Sequence, residues 1–296
     1  QPRANLLREA VATASGADAV ILVLGLSPRL EGEEMKIKTE GFTGGDRSSL
    51  DLPAVQERLL SAVLETGKPV IVVFMNGGPV ASVQAQEKAA AVLLAGYGGV
   101  EGGDAVADVL FGDYNPAGRL PVTYYKSVDQ LPAFGNYDMT GRTYRYFKGE
   151  PLYPFGYGLS YTTFSYSGLK TDTEAATGDT VKVSVNVTNT GKMDGDEVVE
   201  LYLTDEKAST PRPVRQLEGF RRIHLKSGET RNVEFVLLPR QFSLINTKNN
   251  RVIEPGWFTL SVGGKQPGFS GYSDAGSTGV LVTRIKLTGK TVGQPE

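Results

Sequence analysis

The sequence predicts a multidomain α/β plus all-β protein: an α/β sandwich, with a mostly parallel sheet flanked by helices, followed by a β-sandwich. Three observations predict it. Up to about Asp113, wholly apolar runs alternate with segments of helical period. From Asn115 to Tyr161 the chain turns to proline, glycine and aromatic residues. After Thr162 the apolar residues recur at every second position.

In the first part, Leu6, Leu7, Ala10 and Ala14 make one face of a helix over Ala4 to Ser15, and AVILVLGL (Ala19 to Leu26) follows as a buried strand. A long polar stretch, Ser27 to Pro53, leads to a helix with Val55, Leu59, Leu60, Val63 and Leu64 on one face, stopped by Gly67 ahead of Pro69. Then come PVIVVFMN (Pro69 to Asn76), an amphipathic segment near Val83, AAAVLLAGY (Ala89 to Tyr97) and a helix from Gly102 to Phe111. Apolar strands separated by helices are what a parallel sheet covered on both faces requires. Ligands of such sheets bind at the carboxyl ends of the strands. The Ser27 to Pro53 loop, Asn76-Gly77-Gly78 and Gly96-Tyr97-Gly98-Gly99 all leave strands there.

The middle segment carries Tyr144, Tyr146, Phe147, Tyr153, Phe155 and Tyr157, too apolar for a free tether, so it is expected to be an ordered crossing segment. Beyond it, Val181, Val183, Val185 and Val187 alternate with polar partners, and about seven short strands are separated by turn signals. That pattern indicates a sandwich of immunoglobulin or fibronectin type III kind. The expected division is 1–125, 126–161 and 162–296.

At 296 residues, 40% hydrophobic and 22% charged, the chain has room for two cores. A net charge of -2 gives no signal for nucleic acid. No apolar run reaches the roughly 18 residues of a membrane span. With no cysteine and one histidine, His224, thiolate chemistry, a Ser-His-Asp triad and a multi-histidine metal site are all disfavoured. No cluster has metal-ligand spacing, so no metal site is expected. Glu101 stands where a third glycine would complete a dinucleotide fingerprint after Gly96-Tyr97-Gly98. His224 reads as a packing or surface residue. The chain opens on Gln1, without Met or a signal-peptide pattern, and is read as the downstream piece of a longer polypeptide.

The Ser27 to Pro53 loop holds six carboxylates: Glu31, Glu33, Glu34, Glu40, Asp46 and Asp51. Loops longer than about 12 to 15 residues inside a compact domain are usually functional or disordered. One reading is a catalytic loop whose crowded acids raise the pKa of a proton donor; the other is a solvated surface loop. Asp46 and Arg47, after Gly44-Gly45, read first as ion-pairing residues that fix the loop and second as substrate contacts.

The run LEGEEMKIKTEGFTGGDRSSLDLPAVQERLL, then TGKPVIVVFMNGGPV, GVEGGDAVADVLFGDYNPAGRLPVTYY and YRYFKGEPLYPFGYGLSYTTF, resembles the C-terminal half of glycoside hydrolase family 3, in its bacterial β-glucosidase and β-xylosidase branch. The likeness spans nearly the whole chain. It implies an α/β sandwich carrying the acid/base glutamate and a fibronectin type III-like domain. It also implies a preceding (β/α)8 barrel, with the nucleophilic aspartate, as a separate chain or removed segment. The family's acid/base glutamate sits in a glycine-flanked motif shortly before an Asp-Arg pair. That makes Glu33 the first choice, Glu40 in Glu40-Gly41 the second, and Glu31 and Glu34 lower. The implied substrate is an oligosaccharide or glycoside, hydrolysed with retention without cofactor or metal. A non-catalytic carbohydrate-binding or interaction module is the competing reading. No nucleic acid or membrane partner is expected, a homodimer is left open, and a periplasmic or secreted location is favoured over a cytoplasmic one.

Overall fold

A computed structural model describes residues 2–31, 35–36, 38–44, 46–269 and 274–293. They form two compact units, one of residues 1–113 with 124–131 and one of residues 114–123 with 132–296.

In the first unit, helix α1 (Pro2–Ser15) leads into strand β1 (Val20–Gly25), and the long loop then carries a two-strand hairpin, β2 (Phe42–Thr43) and β3 (Asp46–Arg47). Helix α2 (Ala54–Leu64), β4 (Val70–Met75), α3 (Val83–Lys88), β5 (Ala91–Leu94) and α4 (Gly102–Phe111) follow. The sheet is parallel, in the order β1-β4-β5, with Val20 opposite Val70 and Ile71 opposite Ala91. β4 is central, which is why its residues are apolar without alternation: Val70, Val72, Val73 and Phe74 are all buried. Val70, Val72 and Phe74 pack with Leu60 and Val63 of α2 and with Leu24 and Ala85 into one core. Helix α3 opens on Ser82, whose hydroxyl accepts the Ala85 N–H, and α4 ends on Gly112 in the left-handed conformation.

The second unit is the β-sandwich. Its strands are β6 (Phe164–Thr171), β7 (Glu174–Ala176), β8 (Val181–Asn189), β9 (Gly195–Asp205), β10 (Gln216–Leu225), β11 (Thr230–Leu237), β12 (Leu244–Ile245), β13 (Arg251–Ile253), β14 (Gly256–Gly263), β15 (Val280–Thr288) and β16 (Val292–Gly293). One sheet runs β10-β9-β14-β15-β7 and the facing sheet β11-β8-β6, with β12-β13-β16 as a small third sheet. The period of two sorts β8 by face: Val181, Val183, Val185 and Val187 are buried against Val199, Leu201, Leu260 and Ile285.

Residues 132–161 are ordered against this sandwich. A short helix, α5 (Thr143–Tyr146), carries Tyr144, whose ring stacks on Phe155 at 4.1 Å and meets Tyr202 of β9 edge-on at 6.2 Å. Tyr153 stacks on Tyr157 at 5.2 Å. Such aromatic pairs add to the burial of their area and suit a segment without long secondary structure.

Candidate active site

Three loops leave the carboxyl ends of β1, β4 and β5, and a single carboxylate joins them. The Glu31 side chain, on the first loop, accepts the Gly78 N–H at Oε1 (2.9 Å) and the Gly77 N–H at Oε2 (3.2 Å), both from the loop after β4. The Tyr97 hydroxyl, after β5, donates to the same Oε2. Glycine is required at 77: a Cβ there would lie 2.8 Å from the Tyr97 ring and 3.0 Å from Glu31 Oε2. At Gly78 it would meet Glu31 Oε1 at 3.3 Å. The turn itself is held by Asn76, whose Nδ2 donates to the Gly78 carbonyl at 2.6 Å, and Tyr124 lies against the Asn76 amide. Burial raises the Tyr124 pKa, against a lowering by Asn76.

Arg47 approaches from β3. Its Nη1 donates to the Pro79 carbonyl. Burial lowers its pKa, and the charges of Glu31, Asp51 and Tyr97 oppose that shift. Loss of solvent around its hydroxyl, together with the bond to Glu31, pushes Tyr97 up to about 12. Arg47 Nε and Nη2 and Asn76 Oδ1 are buried without a hydrogen-bond partner among the described residues. Buried polar atoms are rarely left so.

The hairpin that delivers Arg47 follows from its turn. Phe42 pairs with Arg47 and Thr43 with Asp46, and Gly44 supplies a φ of 64° between them. The loop is tied down twice more, by Ser48 N–H to the Gly41 carbonyl (2.9 Å) and by Ala81 N–H to the Leu50 carbonyl (2.8 Å).

Of the residues singled out from sequence, Glu31 and Arg47 are thus brought together. Asp46 is exposed on the hairpin, and Glu40 is exposed at the turn before it. Glu33 and Glu34 lie outside the described residues. Gly77, Gly78 and Tyr97 were not singled out individually as site residues; the available signal was that each directly follows an apolar strand at the ligand-binding edge. His224 is exposed on β10, with Nδ1 2.7 Å from Asp196 Oδ1. Among the described residues no group of three His, Asp or Glu side chains could hold a metal, and no helix is long and apolar enough to cross a membrane.

The model of the glycosyl hydrolase family 3 C-terminal domain matches residues 3–161, and that of the fibronectin type III-like domain matches residues 197–266. The chain belongs to glycosyl hydrolase family 3. It is 46% identical over 261 residues to a β-xylosidase of Formosa agariphila, covering 86% of this chain and 35% of that one. It is 41% identical over 271 residues to a periplasmic β-glucosidase of Salmonella typhimurium, covering 87% and 34%. Among solved structures, a β-glucosidase from Erythrobacter marinus superposes with a TM-score of 0.80 at 36% identity, over 96% of this chain and 36% of that one. The chain therefore spans about a third of the length of these relatives.

Proposed function

We propose that this chain is the C-terminal portion of a retaining, exo-acting β-glycosidase, a β-glucosidase or β-xylosidase, that releases terminal non-reducing sugars from oligosaccharides. The observation that carries this reading is the gathering of Glu31, Arg47, Gly77, Gly78 and Tyr97 at the strand ends of a chain whose relatives include a β-xylosidase and β-glucosidases. In this reading the loop supplies the general acid/base, and the nucleophilic aspartate lies on a (β/α)8 barrel outside this chain. Glycoside hydrolysis with retention needs two carboxyl groups about 5 to 5.5 Å apart on opposite faces of the bond. The aspartate attacks the anomeric carbon while the glutamate protonates the departing oxygen; the same glutamate then takes a proton from water as the glycosyl-enzyme is hydrolysed.

Glu33 is the proposed acid/base, with Glu40 second. Both oxygens of Glu31 are engaged, Oε1 by Gly78 and Oε2 by Gly77 and Tyr97, which suits a residue that holds the loop rather than one that offers a proton. Arg47 fixes the hairpin through its bond to the Pro79 carbonyl, and Asp46 pairs with Thr43 across it.

The test is Glu33→Gln in the full-length protein. Turnover of natural glycosides is expected to fall about 10²- to 10⁴-fold, the usual range for a lost general acid/base. An aryl glycoside with a good leaving group is expected to be partly rescued by azide. Unchanged turnover of both substrates would remove Glu33 from the role. Sugar binding without any turnover by the unsubstituted protein would favour a binding module instead.

A further inference from the structure

The β-rich unit contains a second polar cleft, wholly built from its own residues and independent of the glycosidase reading. It has a volume of about 50 Å3 and is lined by Thr123, Tyr144, Lys148, Arg215, Gln266 and Gly268, among others. Three features set its chemistry. Thr123 Oγ1 and Gln266 Oε1 have no hydrogen-bond partner among the described residues, although both side chains belong to residues only 7% exposed. Arg215 is half-buried; its Nη1 holds the Tyr144 carbonyl at 3.1 Å, and no carboxylate pairs with it among the described residues. Lys148 adds a second positive charge at the exposed rim.

The cleft is also held in shape. The Tyr144 hydroxyl accepts the Leu217 N–H at 3.2 Å, and its ring stacks on Phe155. The Val214 N–H donates to the Arg145 carbonyl at 2.7 Å, fixing the segment that carries Arg215 into β10. Gly268 has a φ of 73°, and a Cβ there would come 3.7 Å from Arg215 Nη2.

Buried polar atoms are satisfied in the great majority of cases, so two orphan oxygens at one cleft call for a ligand that completes them. An unpaired guanidinium and an ammonium select an anion, and the planar fork of arginine matches a carboxylate. The Thr123 hydroxyl can donate to that carboxylate. Gln266 Oε1 accepts only, so the ligand must also carry a donor. We infer that this cleft binds a carboxylate flanked by a hydroxyl group. A water needs roughly 10 to 15 Å3 of such space, so the cleft has room for the head of a small hydroxy acid and not for a whole sugar ring. A free α-hydroxy acid and the carboxylate edge of a uronic acid share this chemistry.

Calorimetric titration of the full chain tests it, with glycolate, acetate, glucuronate and glucose as probes and sodium chloride at matched ionic strength as the control. Saturable binding of glycolate is expected, with acetate about tenfold weaker for want of one hydrogen bond and glucose not binding. Arg215→Gln and Lys148→Gln should each weaken glycolate, and Gln266→Leu should bring glycolate and acetate to equal affinity. Glucuronate competing with glycolate identifies a sugar edge as the source, and glycolate alone a free hydroxy acid. Failure of both to bind, or glycolate binding unchanged in Lys148→Gln and Arg215→Gln, overturns the proposal. If Arg215→Gln does not fold, the exposed Lys148 variant decides by itself.

Discussion

The Arg119 guanidinium lies 3.2 Å from the Glu197 carboxylate, both side chains nearly or wholly out of solvent. The same carboxylate accepts the Tyr166 hydroxyl at 2.8 Å and the Thr278 hydroxyl at 3.0 Å. One arginine thus fastens the Asn115–Thr123 strap to β9. Removing one member of a buried ion pair strands the other, at about 3 to 5 kcal/mol. Arg119→Leu is expected to destabilise by that amount in denaturant unfolding at pH 8, where the paired Glu197 carboxyl is ionised. Arg119→Leu with Glu197→Leu should recover most of it, because no buried charge is then left alone. A double variant as unstable as the single one would contradict this account.

Three residues along β9, Glu200 is 3% exposed and lies against Gly156, where a Cβ would come 2.6 Å from Oε1. The Tyr202 hydroxyl donates to its Oε2 at 2.7 Å. Burial raises the Glu200 pKa from 4.5 to about 8, and that of Glu197 to about 7. Between 4.5 and these values the folded chain keeps protons that the unfolded chain has lost. Their contribution to stability is therefore present in full below pH 4.5, declines as pH rises, and levels off above about 8. Glu200→Gln, which has no proton to lose, should flatten the fall in Tm between pH 5 and 8. An identical slope in the variant would rule Glu200 out as its source.

At the candidate site, Gly77→Ala must displace the Tyr97 ring or Glu31. Overpacking of this kind costs about 1 to 3 kcal/mol. Tyr97→Phe removes one donor from an exposed carboxylate and should cost about 1 kcal/mol or less. Thermal unfolding of the two variants checks the order, Gly77→Ala below Tyr97→Phe.

Gly25→Ala is the severest of these changes. Gly25 has a φ of 138°, and a Cβ would overlap the Met75 carbonyl. Overlap and backbone strain together place the loss at about 3 kcal/mol or more. Recovery of well-folded protein with an unchanged Tm would show that β1 can shift away from β4.

The architecture was readable because each element obeys a local rule. β4 is an unbroken apolar run between Pro69 and Asn76, and β8 alternates valine with polar residues. Ends were less so: the apolar run Ala89 to Tyr97 becomes a strand over Ala91–Leu94, since Ala89 caps α3 and Gly96 takes a φ of 63°. The Glu31 cradle was hidden because its donors come from positions 46 to 66 residues away. The buried acids of β9 were hidden for a similar reason. Glu197 continues the core-facing row of Val199 and Leu201, while Glu200 and Tyr202 stand on the opposite face, which Gly156 and Tyr144 cover from far along the chain.

Strand β1 stands at one end of its sheet, with the N–H groups of Val20 and Leu26 turned to β4 through Pro69 and Met75. The groups of Gly25 face the other way, and Gln56 of α2 meets them both: the Gly25 N–H donates to Gln56 Oε1 at 2.8 Å, and Gln56 Nε2 donates to the Gly25 carbonyl at 2.7 Å. A side-chain amide stands there as one peptide of a neighbouring strand would. An intruding chain that tried to extend this edge would have to evict it, so the open border of β1 stops short of the loop that carries Glu31, and edge-to-edge association is blunted where it would most disturb that loop.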